Sequence, residues 1–102
     1  MINLLFRSAP MSFYYDEEGF VTFPDGSRFK GDLNLGVPHG FGKLIYTDGS
    51  IYEGEWSQGN SQGNGNITYP DGSFFEGSWS KGKYHGKGAY SAKQGSKYEG
   101  EW

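Results

Sequence analysis

Tyr52-Glu53-Gly54-Glu55-Trp56 is the stretch on which the fold turns. Advancing 23 residues gives Phe75-Glu76-Gly77-Ser78-Trp79, and 23 more gives Tyr98-Glu99-Gly100-Glu101-Trp102. Stepping back by the same interval gives Phe29-Lys30-Gly31-Asp32-Leu33, with a weaker last position. An aromatic ring, a glycine and usually a Trp fall at alternate residues. Alternate residues of a β-strand share a face. Each such strand therefore has one face that reads ring, glycine, ring and another that carries charges and Ser.

The period reaches beyond this block. Asp-Gly-Ser stands at 25–27, 48–50 and 71–73 and survives as Gln94-Gly95-Ser96. Single glycines recur at Gly36, Gly59 and Gly82, and Gly-x-Gly recurs at Gly40/Gly42, Gly63/Gly65 and Gly86/Gly88. Gly19 matches the second glycine of that pair one period earlier. All 18 glycines of the 102-residue chain thus occupy positions of the repeat. A fixed period of this length is the signature of a repeat array.

Within each unit the sequence predicts two antiparallel strands. Pro24-Asp25-Gly26 between alternating runs is a tight hairpin signal, because Pro presets φ and Gly supplies the positive φ that closes the turn. Asn34 to His39 reads as a looser loop, with Gly36 and Pro38 as breakers. Consecutive units should pair edge to edge. The expected fold is all-β: one elongated, twisted antiparallel meander of eight strands over residues 19–102. Residues 1–18 fit the period poorly and are expected to form an atypical cap or decayed first repeat. Asp16 to Gly19 reads as a turn into the strand at Phe20–Phe23. The array ends within a unit at Trp102. That leads to the expectation of a piece of a longer protein, or of an edge that pairs with another copy.

Glycine inside a strand costs entropy and gives no side chain to pack. The alignment of Gly31, Gly54, Gly77 and Gly100 with Gly42, Gly65 and Gly88 suggests a reason: a ring on one strand lies over the glycine of its neighbour. Tyr52, Trp56, Tyr69, Phe75, Trp79, Tyr90, Tyr98 and Trp102 are expected in the resulting layer.

Composition limits the functions available. Hydrophobic residues make up 34% of the chain and aromatics 19%, so the apolar material is concentrated in rings. Net charge is −3, which argues against nucleic acid as a partner, since phosphate binding needs a basic stripe. Cysteine is absent, so there is no disulfide framework or thiolate metal site. Met1 to Arg7 is too short an apolar run for a signal peptide, and a cytoplasmic location is the default. His39 and His85 are separated by Gln62 at the equivalent position, which a metal ligand or general base would not tolerate. Glu53, Glu55, Glu76, Glu99 and Glu101 form a recurring row that should face water, without the pocket that acid–base work needs. No metal, cofactor or catalytic residue is therefore assigned.

These motifs resemble MORN (membrane occupation and recognition nexus) repeats, whose unit reads roughly Tyr-x-Gly-x-Trp, a short Gly loop, His-Gly-x-Gly and an Asp-Gly turn. The resemblance covers residues 19–102. It implies a non-enzymatic scaffold that docks other proteins or peptides, such as an amphipathic helix laid in an aromatic-lined groove. The family's name and its members fused to lipid kinases imply a second reading, association with membranes or cytoskeleton. The charge of −3 and the lone basic group of Lys81, Lys83 and Lys87 favour weak lipid binding at most. Leu44, Tyr46, Ile67, Tyr69 and Tyr90 on the return strands, with Trp56 and Trp79, are the candidate partner-binding residues.

Overall fold

The computed structural model describes residues 15–102. Most of the expected cap, residues 1–14, lies outside the described residues. Eight strands follow in chain order: β1 (Val21–Thr22), β2 (Arg28–Asn34), β3 (Val37–Ile45), β4 (Ile51–Ser57), β5 (Asn60–Thr68), β6 (Phe74–Ser80), β7 (Lys83–Ser91) and β8 (Lys97–Glu101). They form one sheet in sequence order, antiparallel throughout, and the molecule measures 55 × 24 × 18 Å. This is the meander that the period predicts, and the described residues contain no helix.

The register joins seven of the strand glycines in one row. Gly31 pairs with Gly42, Gly42 with Gly54, Gly54 with Gly65, Gly65 with Gly77, Gly77 with Gly88 and Gly88 with Gly100. The result is an unbroken glycine row across the sheet. A Cβ on Gly65 would stand 2.2 Å from the Tyr52 hydroxyl oxygen, and one on Gly88 would stand 2.3 Å from Phe75 Cζ. The rings of Phe29, Tyr52 and Phe75 therefore lie over the glycines of β3, β5 and β7. Gly54 and Gly77 fail for a different reason: a Cβ there would meet the backbone of the opposite glycine within 2.5 Å.

Trp56 and Trp79 fill the space between these rings. Edge-to-face contacts run without a break from Phe29 to Trp56, Tyr52, Trp79, Phe75, Trp102 and Tyr98, with centroids 5.0–5.6 Å apart. Such pairs contribute about 0.5–1.5 kcal/mol each beyond area burial. Each Trp touches the leading ring of its own unit and of the unit before, so the contact crosses the repeat boundary. The indole N–H of Trp56 donates to the Gly42 carbonyl at 3.0 Å, and that of Trp79 to the Gly65 carbonyl at 3.0 Å. Phe29, Tyr52, Trp56, Phe75 and Trp79 of this layer are the core of the protein, with Val21, Leu44 and Ile67 completing it, while Tyr98 and Trp102 are exposed.

One of the two hairpin links differs from the sequence expectation. The supposed loose loop over Asn34 to His39 is a two-residue turn at Leu35-Gly36, and its equivalents are Gln58-Gly59 and Lys81-Gly82. Both residues of each turn have positive φ, between 51° and 88°. That is the type I′ geometry, which matches strand twist. Leu35, Gln58 and Lys81 are unusual there, and the neighbouring unit holds two of them. Gln58 N–H donates to His39 Nδ1 at 3.2 Å, and Lys81 N–H to Gln62 Oε1 at 3.0 Å. Gly59 N–H donates to the Pro38 carbonyl and Gly82 N–H to the Ser61 carbonyl. The return strands consequently begin earlier than predicted and run through Pro38.

The Asp-Gly-Ser link is the longer one. Gly26, Gly49 and Gly72 each donate back three residues, to Phe23, Tyr46 and Tyr69, and take φ near 95°. This is a type I turn followed by a left-handed glycine. Each Asp carboxylate accepts the Ser N–H two residues on, at 2.7–2.8 Å. His39-Gly40-Phe41 and its equivalents form a bulge opposite Asp32, Glu55 and Ser78, which accounts for the first glycine of each Gly-x-Gly.

At the N-terminal end, Asp16 to Gly19 forms the expected turn. Asp16 accepts Glu18 and Phe20 N–H groups, and Tyr15 bridges Val21. Arg28 pairs with Asp16 at 2.7 Å and lies 4.6 Å from the Phe20 ring centre.

Candidate functional site

Alternation along the strands gives the sheet two faces of different chemistry. The face carrying the glycine-spaced rings is covered by its own side chains over most of its area. Of the residues singled out from sequence, Leu44, Ile67, Trp56 and Trp79 are buried in that layer. Tyr46, at 36% exposed, remains accessible, and Tyr69 and Tyr90 are half-buried against the core. The structure thus separates the seven residues into a buried set and a tyrosine row beside the Asp-Gly-Ser turns.

Two open clefts lie along that row. One, of about 300 Å³, is lined by Tyr46, Asp48, Ser50, Ile67 and Tyr69. The other, of about 570 Å³, is lined by Tyr69, Pro70, Asp71, Ser73, Tyr84 and Tyr90. They are equivalent sites one repeat apart, and Tyr69 forms a wall of both. Tyr84 was not singled out from sequence. It stands where earlier units carry Pro38 and Ser61, so the period concealed it. Its ring stacks on Phe75 at 3.8 Å, and its hydroxyl is hydrogen-bonded to that of Tyr69.

Burial raises the Tyr46 and Tyr84 hydroxyls above the usual tyrosine range, so both are protonated donors at neutral pH. The turn carboxylates move the opposite way. Asp25 and Asp71 are lowered first by the Ser27 and Ser73 hydroxyls, and Asp48 first by the Ser50 N–H. The clefts therefore offer aromatic walls, hydroxyl donors and ionised rims. Among the described residues no group of His, Asp and Glu is arranged to hold a metal ion.

The opposite face carries the Glu row, and shallow depressions of about 450 and 470 Å³ lie over the glycine backbone. It is less uniformly polar than the alternation suggests. Phe41 (57% exposed) and Phe74 (40%) emerge on it. Strand parity carries the signal for both, since Phe41 lies between two glycines and Phe74 beside Phe75.

Fold and surface together define an open, single-sheet β-hairpin repeat array with its packed ring layer on one side. The chain belongs to the MORN repeat family, whose model matches three consecutive units at residues 29–51, 52–74 and 75–97. No curated protein matches the chain. The family is a non-catalytic repeat module, and no helix among the described residues is long and apolar enough to cross a membrane.

Proposed function

We propose that the chain is a non-enzymatic scaffold that binds a protein or peptide along the ring-bearing face, across several repeats. The observation that supports this reading is the pair of equivalent clefts at Tyr46/Tyr69 and Tyr69/Tyr90. Tyr is favoured at binding hot spots because a large ring and a hydroxyl are presented with little rotamer freedom to lose. Leu44, Ile67, Trp56 and Trp79 serve the site from beneath by fixing the tyrosines in place. The carboxylates of the other face are exposed and solvated, with less to gain from a partner.

The test is affinity capture with two double variants. Tyr46→Ala with Tyr69→Ala should lose the partner and keep the fold. Glu53→Ala with Glu76→Ala should retain the partner. Capture lost in the glutamate variant and kept in the tyrosine variant would place the binding surface on the other face.

A further inference from the structure

We infer that the tyrosine row binds a proline-rich segment in the polyproline II conformation, with prolines at every third residue and an arginine at the Asp48 end. This rests on the reading that the ring-bearing face docks a protein or peptide, and it names the class of ligand.

Spacing is the first argument. Tyr46 and Tyr69 stand at equivalent positions of successive hairpins, two strands apart. Two strand separations are about 9.4–9.8 Å. A polyproline II helix has three residues per turn and rises about 3.1 Å per residue, so it repeats every 9.3 Å or so. Prolines in every third position therefore meet the Tyr46/Tyr69 cleft and the Tyr69/Tyr90 cleft on successive turns. An α-helix would return a side chain to the same face after seven residues, or about 10.5 Å, and would drift by roughly 1 Å per repeat.

Chemistry is the second argument. Polyproline II leaves its carbonyls unbonded and presents flat rings that pack on aromatic walls. The clefts supply the matching groups: rings from Tyr46, Tyr69, Tyr84 and Tyr90, and hydroxyl donors to meet the carbonyls. The Tyr69–Tyr84 hydroxyl pair uses one proton internally and leaves the other for a ligand.

Charge sets the direction. Asp48 and Asp71 are at the cleft rims, and the chain carries a net −3. Lys93 is close enough to Asp71 to stabilise its charge. An arginine of the ligand is therefore better placed against Asp48.

The experiment is an NMR titration of the whole chain with a synthetic peptide of four Pro-Pro-Leu triads flanked by one arginine. An amphipathic helical peptide of equal length and charge is the comparison. The expected result is saturable binding of the triad peptide, with amide shifts concentrated in residues 46–50 and 69–73. Tyr46→Ala with Tyr69→Ala should weaken binding by about tenfold or more. Because that variant also trims packing, Tyr46→Phe and Asp48→Asn are measured beside it. Each should weaken binding about two- to fivefold, Tyr46→Phe at an unchanged melting temperature, and Asp48→Asn should also reduce the salt dependence of binding. Equal or tighter binding of the helical peptide would overturn the inference, as would shifts confined to residues 53–55 and 76. Absence of triad binding while cellular capture still depends on Tyr46 and Tyr69 would overturn this ligand class alone. Loss of both would overturn the docking face as well.

Discussion

Gly88 shows how one residue type serves two purposes in this chain. Its backbone is not left-handed, yet a Cβ there would stand 2.3 Å from Phe75 Cζ. Gly72 is the reverse: nothing lies within 4 Å of its Cβ position, but its φ is +93°. Gly72→Ala should therefore cost about 1–2 kcal/mol through backbone strain alone. Gly88→Ala should cost about 1–3 kcal/mol through overpacking. The two causes separate in a double-mutant cycle read by denaturant unfolding. Phe75→Leu should recover part of the loss at Gly88 and none of the loss at Gly72. Additive effects at Gly88 and Phe75 would mean that no ring lies over that glycine. The ring-over-glycine packing was legible in the sequence because each ring and the glycine it covers on the next strand, such as Tyr52 and Gly65, recur at a fixed period. The split of the tyrosine row from the buried rings was not. Tyr46 and Leu44 share a face, and only tertiary packing, with Leu44 set between Phe29 and Tyr52, decides that one is accessible and the other is core.

The hairpin is the scale at which sequence reasoning went furthest astray. Gly36, Gly59 and Gly82 suggested an open loop because Leu35, Gln58 and Lys81 are not residues that favour positive φ. The bonds that hold Gln58 and Lys81 come from the neighbouring unit and are invisible in any local window. They also explain why His39 and Gln62 interchange: each presents one acceptor, Nδ1 or Oε1, to the same N–H. Gln62→His should then leave the melting temperature nearly unchanged, whereas Gln62→Leu should cost about 0.5–1.5 kcal/mol. A neutral Gln62→Leu would show that the turn needs no such support. The Asp-Gly-Ser links make the fold sensitive to acid. Hydrogen bonds from Ser27, Ser50 and Ser73 lower the folded-state pKa of Asp25, Asp48 and Asp71. Their contribution is complete above the unfolded value of about 3.9 and is lost as pH falls through the lower folded values. Replacing all three by Asn, which keeps the acceptor without the charge, should flatten the fall of the melting temperature between about pH 5 and 3. An unchanged acid limb would assign that sensitivity to other carboxylates.

At the scale of the whole molecule, each unit contacts only its neighbours, and the chain of Trp contacts crosses every boundary between Phe29 and Trp102. Stability should then be a sum of unit and interface terms. Deleting residues 52–74 joins Ile51 to Phe75 in phase and sets Trp79 against Phe29. The shortened chain should fold to the same sheet with a lower melting temperature. Deleting only residues 52–63 puts two return strands in succession and should abolish cooperative unfolding. Failure of the whole-unit deletion to fold would contradict the array. The central functional claim is that the ring-bearing face meets the partner. Site-specific photo-crosslinking tests it most directly, with a benzophenone amino acid placed in turn at Tyr46, Tyr69, Glu53 and Glu76. The account predicts one partner adduct from positions 46 and 69 and none from 53 and 76. Adducts from 53 and 76 alone would mean that the rings serve only to hold the sheet together.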